Sequence, residues 1–247
     1  MIIKHYKQGS DEWLKARCGV ITMSNAKALI SKGRGKEPSL TRQSYLYDVA
    51  SELLSGKPVE QFKSWDMERG NLLEPFARRA YEMLTRTKVE EVGLVYLDEN
   101  KTISTSPDGL CGAIGEGGIE IKCPRPRTHM RYLSGSRNGI MPQIQGNMWV
   151  TGAEWWDFVS FCPEFEACPL VIDRIDRDDE MIKKINDSAM LAAEEVAAMV
   201  DTIRRYETDS DLQAICNETD SDIQAICNEA LAAVDNFFND GEVQIDE

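Results

Sequence analysis

The stretch TSPDGLCGAIGEGGIEIKCP (105–124) places two carboxylates, Asp108 and Glu120, on either side of a glycine-rich connection, and Lys122 follows the second. Side chains alternate between the two faces of a strand, so in GGIEIKC Glu120 and Lys122 share the face opposite the isoleucines. With Asp108 at the end of a preceding strand, the connection would form a hairpin and bring the carboxylates together. The stretch is either a hairpin with charged residues on its solvent side or a site where a metal ion and a lysine carry out chemistry.

The carboxylate pair favours the second interpretation. Two close carboxylates repel each other, and one would take up a proton unless a cation lies between them. Oxygen ligands favour Mg²⁺ or Mn²⁺, and the only histidines, His5 and His129, make zinc a poor candidate. Such an ion polarises a phosphoryl oxygen and acidifies a water. Lys122, on the same face, would either orient that water or stabilise the pentavalent phosphate as its charge increases. An E-x-K tripeptide alone is usually an exposed ion pair, but the preceding Pro107, aspartate and glycine turn make this pattern more specific.

The composition is that of a globular protein. The chain has 247 residues, of which 42% are hydrophobic and 28% charged, enough for one large core or two small ones. The sequence has no long apolar run and begins without a secretory signal pattern. Its seven cysteines include no Cys-x-x-Cys, which favours buried thiols over disulfides or zinc ligands. We therefore expect a cytoplasmic protein with no membrane partner.

The formal net charge of −14 is distributed unevenly. Residues 1–170 carry 22 Lys and Arg against 21 Asp and Glu, whereas residues 171–247 carry 6 against 21. The segment KCPRPRTHMRYLSGSRNG (122–139) has five Lys or Arg and no acidic residue. This basic segment is either a solvated loop or, beside Glu120, a surface for phosphate groups.

Periodicity and turn residues predict a mixed α/β fold, with a central mixed β-sheet flanked by helices. A helix over about 67–86 should be regular only from residue 74, since proline is tolerated in a first turn and Pro75 would then lie there. The predicted helices cover 11–17, 24–30, 39–56, 67–86, 127–135, 140–151 and 178–206, and the predicted strands 88–98, 101–109, 117–123, 154–162 and 167–176.

The C-terminal segment contains a tandem repeat, TDSDLQAICNE (208–218) followed by TDSDIQAICNE (219–229). Eleven residues make three helical turns plus about 20°, so the second copy would extend the apolar stripe of the first. That stripe would comprise Leu212, Ile215, Ile223, Ile226, Ala230 and Val234. We expect one domain over 1–206 and an acidic helical tail over 207–247, unsuited to DNA. The repeat is either a duplication in a tolerant surface helix or a docking contact.

The segments SPDGL and IEIKCP resemble the catalytic core of the phage lambda exonuclease group, or YqaJ-type viral recombinases, among the PD-(D/E)XK nucleases. Three further blocks are similar to this family in the same order: QGSDEWLKARCGVITMSNA (8–26), RGNLLEPFAR (69–78) and PQIQGNMWVTG (142–152). The resemblance covers residues 8–176 but not the acidic tail. It implies a restriction-endonuclease-like fold.

The resemblance also implies roles for individual residues at a metal site. Asp108, Glu120 and the backbone carbonyl of Ile121 would be metal ligands. Glu74 would complete a second metal position, giving two Mg²⁺ ions per site, with Mn²⁺ as a substitute. Lys122 would be the catalytic lysine.

A pocket for a terminal 5′-phosphate is implied in the same way, formed by Arg17, Ser24 and Ser106. An arginine fork with hydroxyl donors suits a dianionic phosphate. The resemblance would bring Gln143 and Gln145 to the same cleft from the next helix.

This sequence departs from the family after the E-x-K strand. The loop there is several residues shorter, and the position of a further family arginine corresponds to Thr128, with Arg127 one residue before it. Which basic residue contacts phosphate therefore stays open among Arg125, Arg127, Arg131 and Arg137, and we take Arg127 and Arg131 as the DNA-binding candidates.

The implied activity is a Mg²⁺-dependent 5′-to-3′ exonuclease that degrades one strand of linear double-stranded DNA from a 5′-phosphorylated end and leaves a 3′ overhang. The resemblance further implies a ring-shaped homotrimer, a single-strand annealing protein as recombination partner, and a phage or prophage gene expressed in a bacterial host. An endonuclease of the same fold and a non-catalytic DNA-end-binding scaffold are the alternatives.

Overall fold

The computed structural model describes residues 1–33, 39–59, 64–208 and 225–234. Residue contacts divide the chain into two units, Met1–Ala198 and Met199–Glu247.

In chain order the elements are β1 (Ile2–Lys4), α1 (Asp11–Arg17), β2 (Ile21–Thr22), a 3₁₀ turn (Met23–Asn25), α2 (Ala26–Leu29), α3 (Leu40–Ser55), α4 (Trp65–Thr85), β3 (Val89–Glu90), β4 (Leu94–Tyr96), β5 (Ile103–Thr105), β6 (Gly109–Cys111), β7 (Gly117–Lys122), α5 (Pro126–Leu133), α6 (Met141–Thr151), β8 (Trp155–Phe161), β9 (Leu170–Asp176) and α7 (Asp179–Thr208).

The strands form two mixed sheets, which confirms the predicted mixed α/β class. One sheet has the order β1-β4-β5-β2 and the other β3-β6-β7-β8-β9. Each contains one parallel pair, β2 with β5 and β7 with β8. The chain leaves the first sheet after β5 and enters the second at β6, so residues 106–108 connect the two sheets.

Short-range signals explain the boundaries of α3. Ser39 caps its first turn by accepting a hydrogen bond from Arg42 N–H, and Gly56 ends it with φ 67°, a left-handed conformation that glycine adopts without strain. The predicted helix over 39–56 is confirmed.

The predicted start of the regular part of α4 near residue 74 is wrong. The helix begins at Trp65, capped by Ser64, and Pro75 lies in its interior. An interior proline leaves the Asn71 carbonyl without its helical donor and costs roughly 3 kcal/mol. Tertiary contacts of the first half compensate, because buried Arg69 donates to both Glu164 carboxylate oxygens at 2.6 Å and to the Pro124 carbonyl at 3.2 Å.

The placement of Asp108 at the end of a strand is also corrected. β5 ends at Thr105, and Asp108 instead precedes β6, the antiparallel partner of β7. This three-residue strand is too short for a periodic signal. Position 109 of β6 requires glycine, since a Cβ there would lie 2.1 Å from the Val89 side chain of β3.

Helices α4 and α6 lie on opposite faces of β7. On one face, Ala77 and Tyr81 of α4 pack against Ile119 and Ile121. On the other, α6 side chains bond to Glu120. Both faces of the strand that carries the E-x-K tripeptide are therefore covered, and the interpretation of a hairpin with a solvent side is excluded.

Much of the repeated segment, including Leu212, Ile215 and Ile223, lies outside the described residues. Residues 225–234 are helical, and Ile226 and Val234 are exposed in this unit.

Among the residues that the structure describes, no helix is both long enough and apolar enough to span a membrane.

We expect Ile119→Ala to lower the free energy of unfolding by about 2–5 kcal/mol, because it removes a fully buried side chain from the core between α4 and β7. Urea denaturation followed by tryptophan fluorescence measures the change. Ile114→Ala is the matched control, since Ile114 is 72% exposed in the same segment. Equal unfolding free energies for the two variants would contradict this packing.

Candidate active site

Glu120 is the buried centre of the site, with 1% of its surface exposed. Its Oε1 accepts hydrogen bonds from Lys122 Nζ at 2.5 Å and from Gln143 Nε2 at 2.8 Å, and its Oε2 accepts from Asn147 Nδ2 at 3.2 Å. The carboxylate is thus fixed by its own strand and by α6.

Asp108 lies against the same strand. Its Oδ2 accepts a hydrogen bond from Ile121 N–H at 2.6 Å, which brings it next to Glu120 as the sequence predicted. Burial, together with the charge of Glu120, raises the pKa of Asp108 well above its usual value, although Lys122 acts in the opposite direction. Two acidic groups therefore share a site that disfavours their combined negative charge.

Lys122 supplies positive charge at this site. Burial acts to lower its pKa, but the neighbouring charges of Glu120 and Asp108 outweigh burial, and the pKa is raised. The ammonium group is therefore protonated at neutral pH and donates a hydrogen bond to Glu120.

Glu74 of α4 joins the site through an arginine that the sequence reasoning missed. Arg78 pairs with Glu74 and Glu91, and its NH2 donates to the Asp108 carbonyl at 3.1 Å. Burial raises the pKa of Glu74, opposed by Arg78 and assisted by Glu91 and Glu120. The i, i+4 spacing of Glu74 and Arg78 is the sequence feature that could have placed Arg78 at the site.

The donor chemistry of the site fits a divalent cation that prefers oxygen. Three carboxylates, from Glu74, Asp108 and Glu120, interact electrostatically, and neither histidine is among their partners. Within the described ranges, no three acidic, histidine or cysteine side chains are already arranged around one point. In this structure Lys122 bonds directly to Glu120, and Arg78 to Glu74.

Two predicted pocket residues follow neighbouring parallel strands. Thr22 of β2 pairs with Ser104 of β5, and Ser24 and Ser106 each come two residues later. Because parallel strands end at the same edge of a sheet, both serines lie at that edge. Ser24 Oγ is 3.4 Å from Arg17 NH2, so the structure brings these two side chains together.

The donors of this pocket are suited to an anion. In the described part of the chain, Arg17 forms no salt bridge, and its guanidinium lies 4.2 Å from the centre of the Trp13 ring. Burial lowers the pKa of Arg17, opposed by Tyr45 and Glu52. The buried Ser106 Oγ has no hydrogen-bond partner among the described residues. A phosphate is an acceptor for such groups.

The structure separates the two predicted glutamines of α6. Gln143 reaches Glu120, whereas the amide of buried Gln145 donates to the Asp176 carbonyl and accepts from Asp178 N–H, both at 2.9 Å. Asn147 instead lies beside Gln143. It accepts from Thr105 Oγ1 at 2.5 Å while donating to Glu120. Sequence reasoning missed Asn147, although its i, i+4 spacing from Gln143 places both on one helix face.

Two of the four candidate arginines are not held by acidic groups. Arg125 pairs with Asp66 at 2.7 Å, and Arg137 pairs with Asp173. The exposed Arg127 and Arg131 lie one turn apart on α5 and have no ion pair among the described residues.

Comparisons with known proteins agree with the resemblance found in the sequence. The family model of the YqaJ-like viral recombinase domain matches residues 12–154. An alkaline exonuclease from Laribacter hongkongensis (LHK-Exo) is 32% identical, with a TM-score of 0.73 and coverage of 81% of this chain and 98% of that chain. Its complex with dAMP matches with the same values. A phage-related exonuclease from Haemophilus somnus is 19% identical, with a TM-score of 0.59 over 74% of this chain and 96% of that chain, and shares the fold. None of the curated proteins matches.

We expect Asp108→Asn to raise the thermal unfolding midpoint at neutral pH in the absence of divalent cations. Folding disfavours the ionised Asp108 carboxylate because its pKa is raised, and asparagine keeps an oxygen for Ile121 N–H. The cost accumulates as the pH rises from the ordinary aspartate pKa, where the unfolded chain ionises, to the raised pKa of the folded state, so the difference should disappear in acid below both.

Adding millimolar Mg²⁺ should raise the midpoint of the wild type but not that of Asp108→Asn, because an ion that binds only the folded state stabilises it. Differential scanning fluorimetry measures both effects. Asp98→Asn, at an exposed turn, is the control and should respond like the wild type. An equal response to Mg²⁺ in wild type and Asp108→Asn would contradict this placement of the ion.

Proposed function

The chain belongs to the family of YqaJ-like viral recombinase domains, and we propose that it is a Mg²⁺-dependent exonuclease of phage-type recombination. It would degrade one strand of linear double-stranded DNA in the 5′-to-3′ direction from a 5′-phosphorylated end and leave a 3′ overhang. The observation that supports this most is the meeting of Asp108, Glu120 and Lys122 at β7. The similarity to alkaline exonucleases supports the reaction class.

Asp108, Glu120 and the Ile121 carbonyl would hold one ion, and Glu74 would hold a second. When bound, Mg²⁺ or Mn²⁺ would polarise a phosphoryl oxygen and acidify a water. Gln143 and Asn147 keep the Glu120 oxygens in place, which limits the reorganisation needed at the site.

Lys122 would stabilise the phosphate as negative charge increases on its oxygens. Its ammonium group is fixed 2.5 Å from Glu120 Oε1 and stays protonated, so it can donate to an incoming oxygen without a change of charge. Arg78 would neutralise the acidic groups on the α4 side.

The proposed start at a 5′ end depends on the distance between the phosphate pocket and the carboxylates. Ser106 and Asp108 are two residues apart, a separation of at most about 7 Å along an extended chain. This distance is comparable to the spacing of neighbouring phosphates in a DNA strand. A terminal phosphate held by Arg17, Ser24 and Ser106 would therefore present the next phosphodiester to the metal site. Release of a nucleoside monophosphate would follow, and LHK-Exo has been solved with dAMP.

We further propose a homotrimeric ring around the DNA, acting in the cytoplasm of a bacterial host together with a single-strand annealing protein. A ring would reconcile DNA binding with a net charge of −14, because basic residues would line the channel and acidic residues would face outward. Arg127 and Arg131 would contribute contacts to the DNA backbone.

We expect Lys122→Ala to lower kcat by about a hundredfold or more, since it removes a fixed donor to the developing charge, and Asp108→Ala to abolish cleavage. The assay follows digestion of 5′-phosphorylated linear, 5′-hydroxyl linear and covalently closed circular duplex with Mg²⁺. Exposed Lys88→Ala is the control and should retain wild-type activity.

The three substrates separate this proposal from its alternatives. Cutting of closed circles by the wild type would indicate an endonuclease, and end binding without any cleavage would indicate a scaffold. Activity of Asp108→Ala would contradict the proposed catalytic centre.

We expect the substitutions Arg127→Gln and Arg131→Gln together to reduce the slope of log binding constant against log salt concentration by about 2, one unit per lost phosphate contact. Fluorescence anisotropy with a 5′-phosphorylated duplex measures the slope, in the Asp108→Ala background to prevent cleavage. The control is Arg79→Gln, at an exposed position of α4. An unchanged slope would exclude these arginines from the DNA path.

A further inference from the structure

Tyr45 of α3 contacts Thr22, two residues before Ser24 of the phosphate pocket, and has no role in the site described so far. Its Oη accepts a hydrogen bond from Thr22 N–H at 2.8 Å, at the last residue of β2. The side chain comes from a different element than any pocket residue and is fixed by a well-formed helix. Tyr45 therefore holds the point at which the chain leaves the sheet and turns toward Ser24.

Thr22 links Tyr45 to Arg17, because its backbone N–H bonds to Tyr45 and its side chain bonds to Ser24. Thr22 Oγ1 is 3.0 Å from Ser24 Oγ, and Ser24 Oγ is 3.4 Å from Arg17 NH2. Asn25 Nδ2 also donates to Thr22 Oγ1 at 3.2 Å. Through these bonds, the position of Thr22 determines where the serine hydroxyl and the guanidinium lie.

A tyrosine is chemically suited to this position beside an anion pocket. Burial raises the pKa of Tyr45, with hydrogen bonds at Thr22 and the charge of Arg17 acting in the opposite direction. The phenol is therefore neutral at working pH, so it accepts from Thr22 N–H without repelling a phosphate as a carboxylate would.

We propose that Tyr45 is a positioning residue that sets the preference for 5′-phosphorylated over 5′-hydroxyl DNA ends, by fixing Thr22 and, through it, Ser24 and Arg17. This inference rests on the proposed function, because it concerns the phosphate pocket of that exonuclease. Tyr45 touches neither the metal ligands nor Lys122 in any contact of the described residues.

Removal of the Tyr45 hydroxyl would leave Thr22 N–H without its acceptor. The 22–25 segment would then lose its fixed position, and the donors to a phosphate would no longer converge. A hydroxyl end makes little use of these donors, so the two kinds of end should respond differently. A purely structural role would lower activity on both ends by the same factor.

The test compares kcat/KM on duplexes with a single 5′-phosphorylated or 5′-hydroxyl end for wild type, Tyr45→Phe and Tyr47→Phe. Tyr47→Phe is the matched control, because Tyr47 lies on the same helix and is 62% exposed. We expect Tyr45→Phe to reduce the ratio of phosphorylated-end to hydroxyl-end kcat/KM about five- to tenfold, mostly through a higher KM for the phosphorylated end. Tyr47→Phe should keep the wild-type ratio.

An unchanged ratio in Tyr45→Phe would overturn the inference, whether activity is retained on both ends or falls on both by the same factor together with the thermal unfolding midpoint. Failure of the proposed function gives a different result, since the wild type itself would then show no preference for the phosphorylated end or no exonuclease activity.

Discussion

The site depends on the confinement of two carboxylates against one buried strand. Asp108 is held by the Ile121 amide, and Glu120 lies on the same strand with almost no exposure. Their mutual repulsion requires positive charge nearby. Lys122 and Arg78 provide part of it within the chain, and the oxygen-rich set that remains is suited to a divalent cation. Gln143 and Asn147 of α6 and Arg78 of α4 can be understood as responses to this one constraint.

The two-sheet architecture places the proposed phosphate pocket next to these carboxylates. The short connection from β5 to β6 carries Ser106 at one sheet and Asp108 at the other. The donors around Ser106 and the cluster of acidic groups around Asp108 are therefore linked by two residues of backbone. Because the connection between the two sheets is so short, it would hold an anion in the pocket and a phosphodiester at the carboxylates at a fixed separation.

The sequence predicted those features that depend on neighbours in the chain. Strand alternation grouped Glu120 with Lys122, and cap residues delimited α3. It failed where tertiary contacts decide. Arg69 keeps the first half of α4 helical despite Pro75, and close packing against Val89 selects a glycine in the short strand β6. Asn147 and Arg78 belong to the site through contacts between distant elements, and Gln145 is turned away by backbone groups near residue 177. Helical spacing places Arg78 near Glu74 and Asn147 near Gln143, but it does not show which of these side chains reaches the carboxylates.

In the proposed site, Asp108 and Glu120 jointly hold a divalent cation one nucleotide away from a terminal phosphate. Anomalous diffraction from crystals grown with Mn²⁺ and a 5′-phosphorylated deoxynucleotide tests this placement most directly. We expect a manganese peak in contact with one oxygen from each carboxylate, and the phosphate of the nucleotide bound separately by Arg17, Ser24 and Ser106. A manganese peak away from both carboxylates, or none at saturating Mn²⁺, would contradict it.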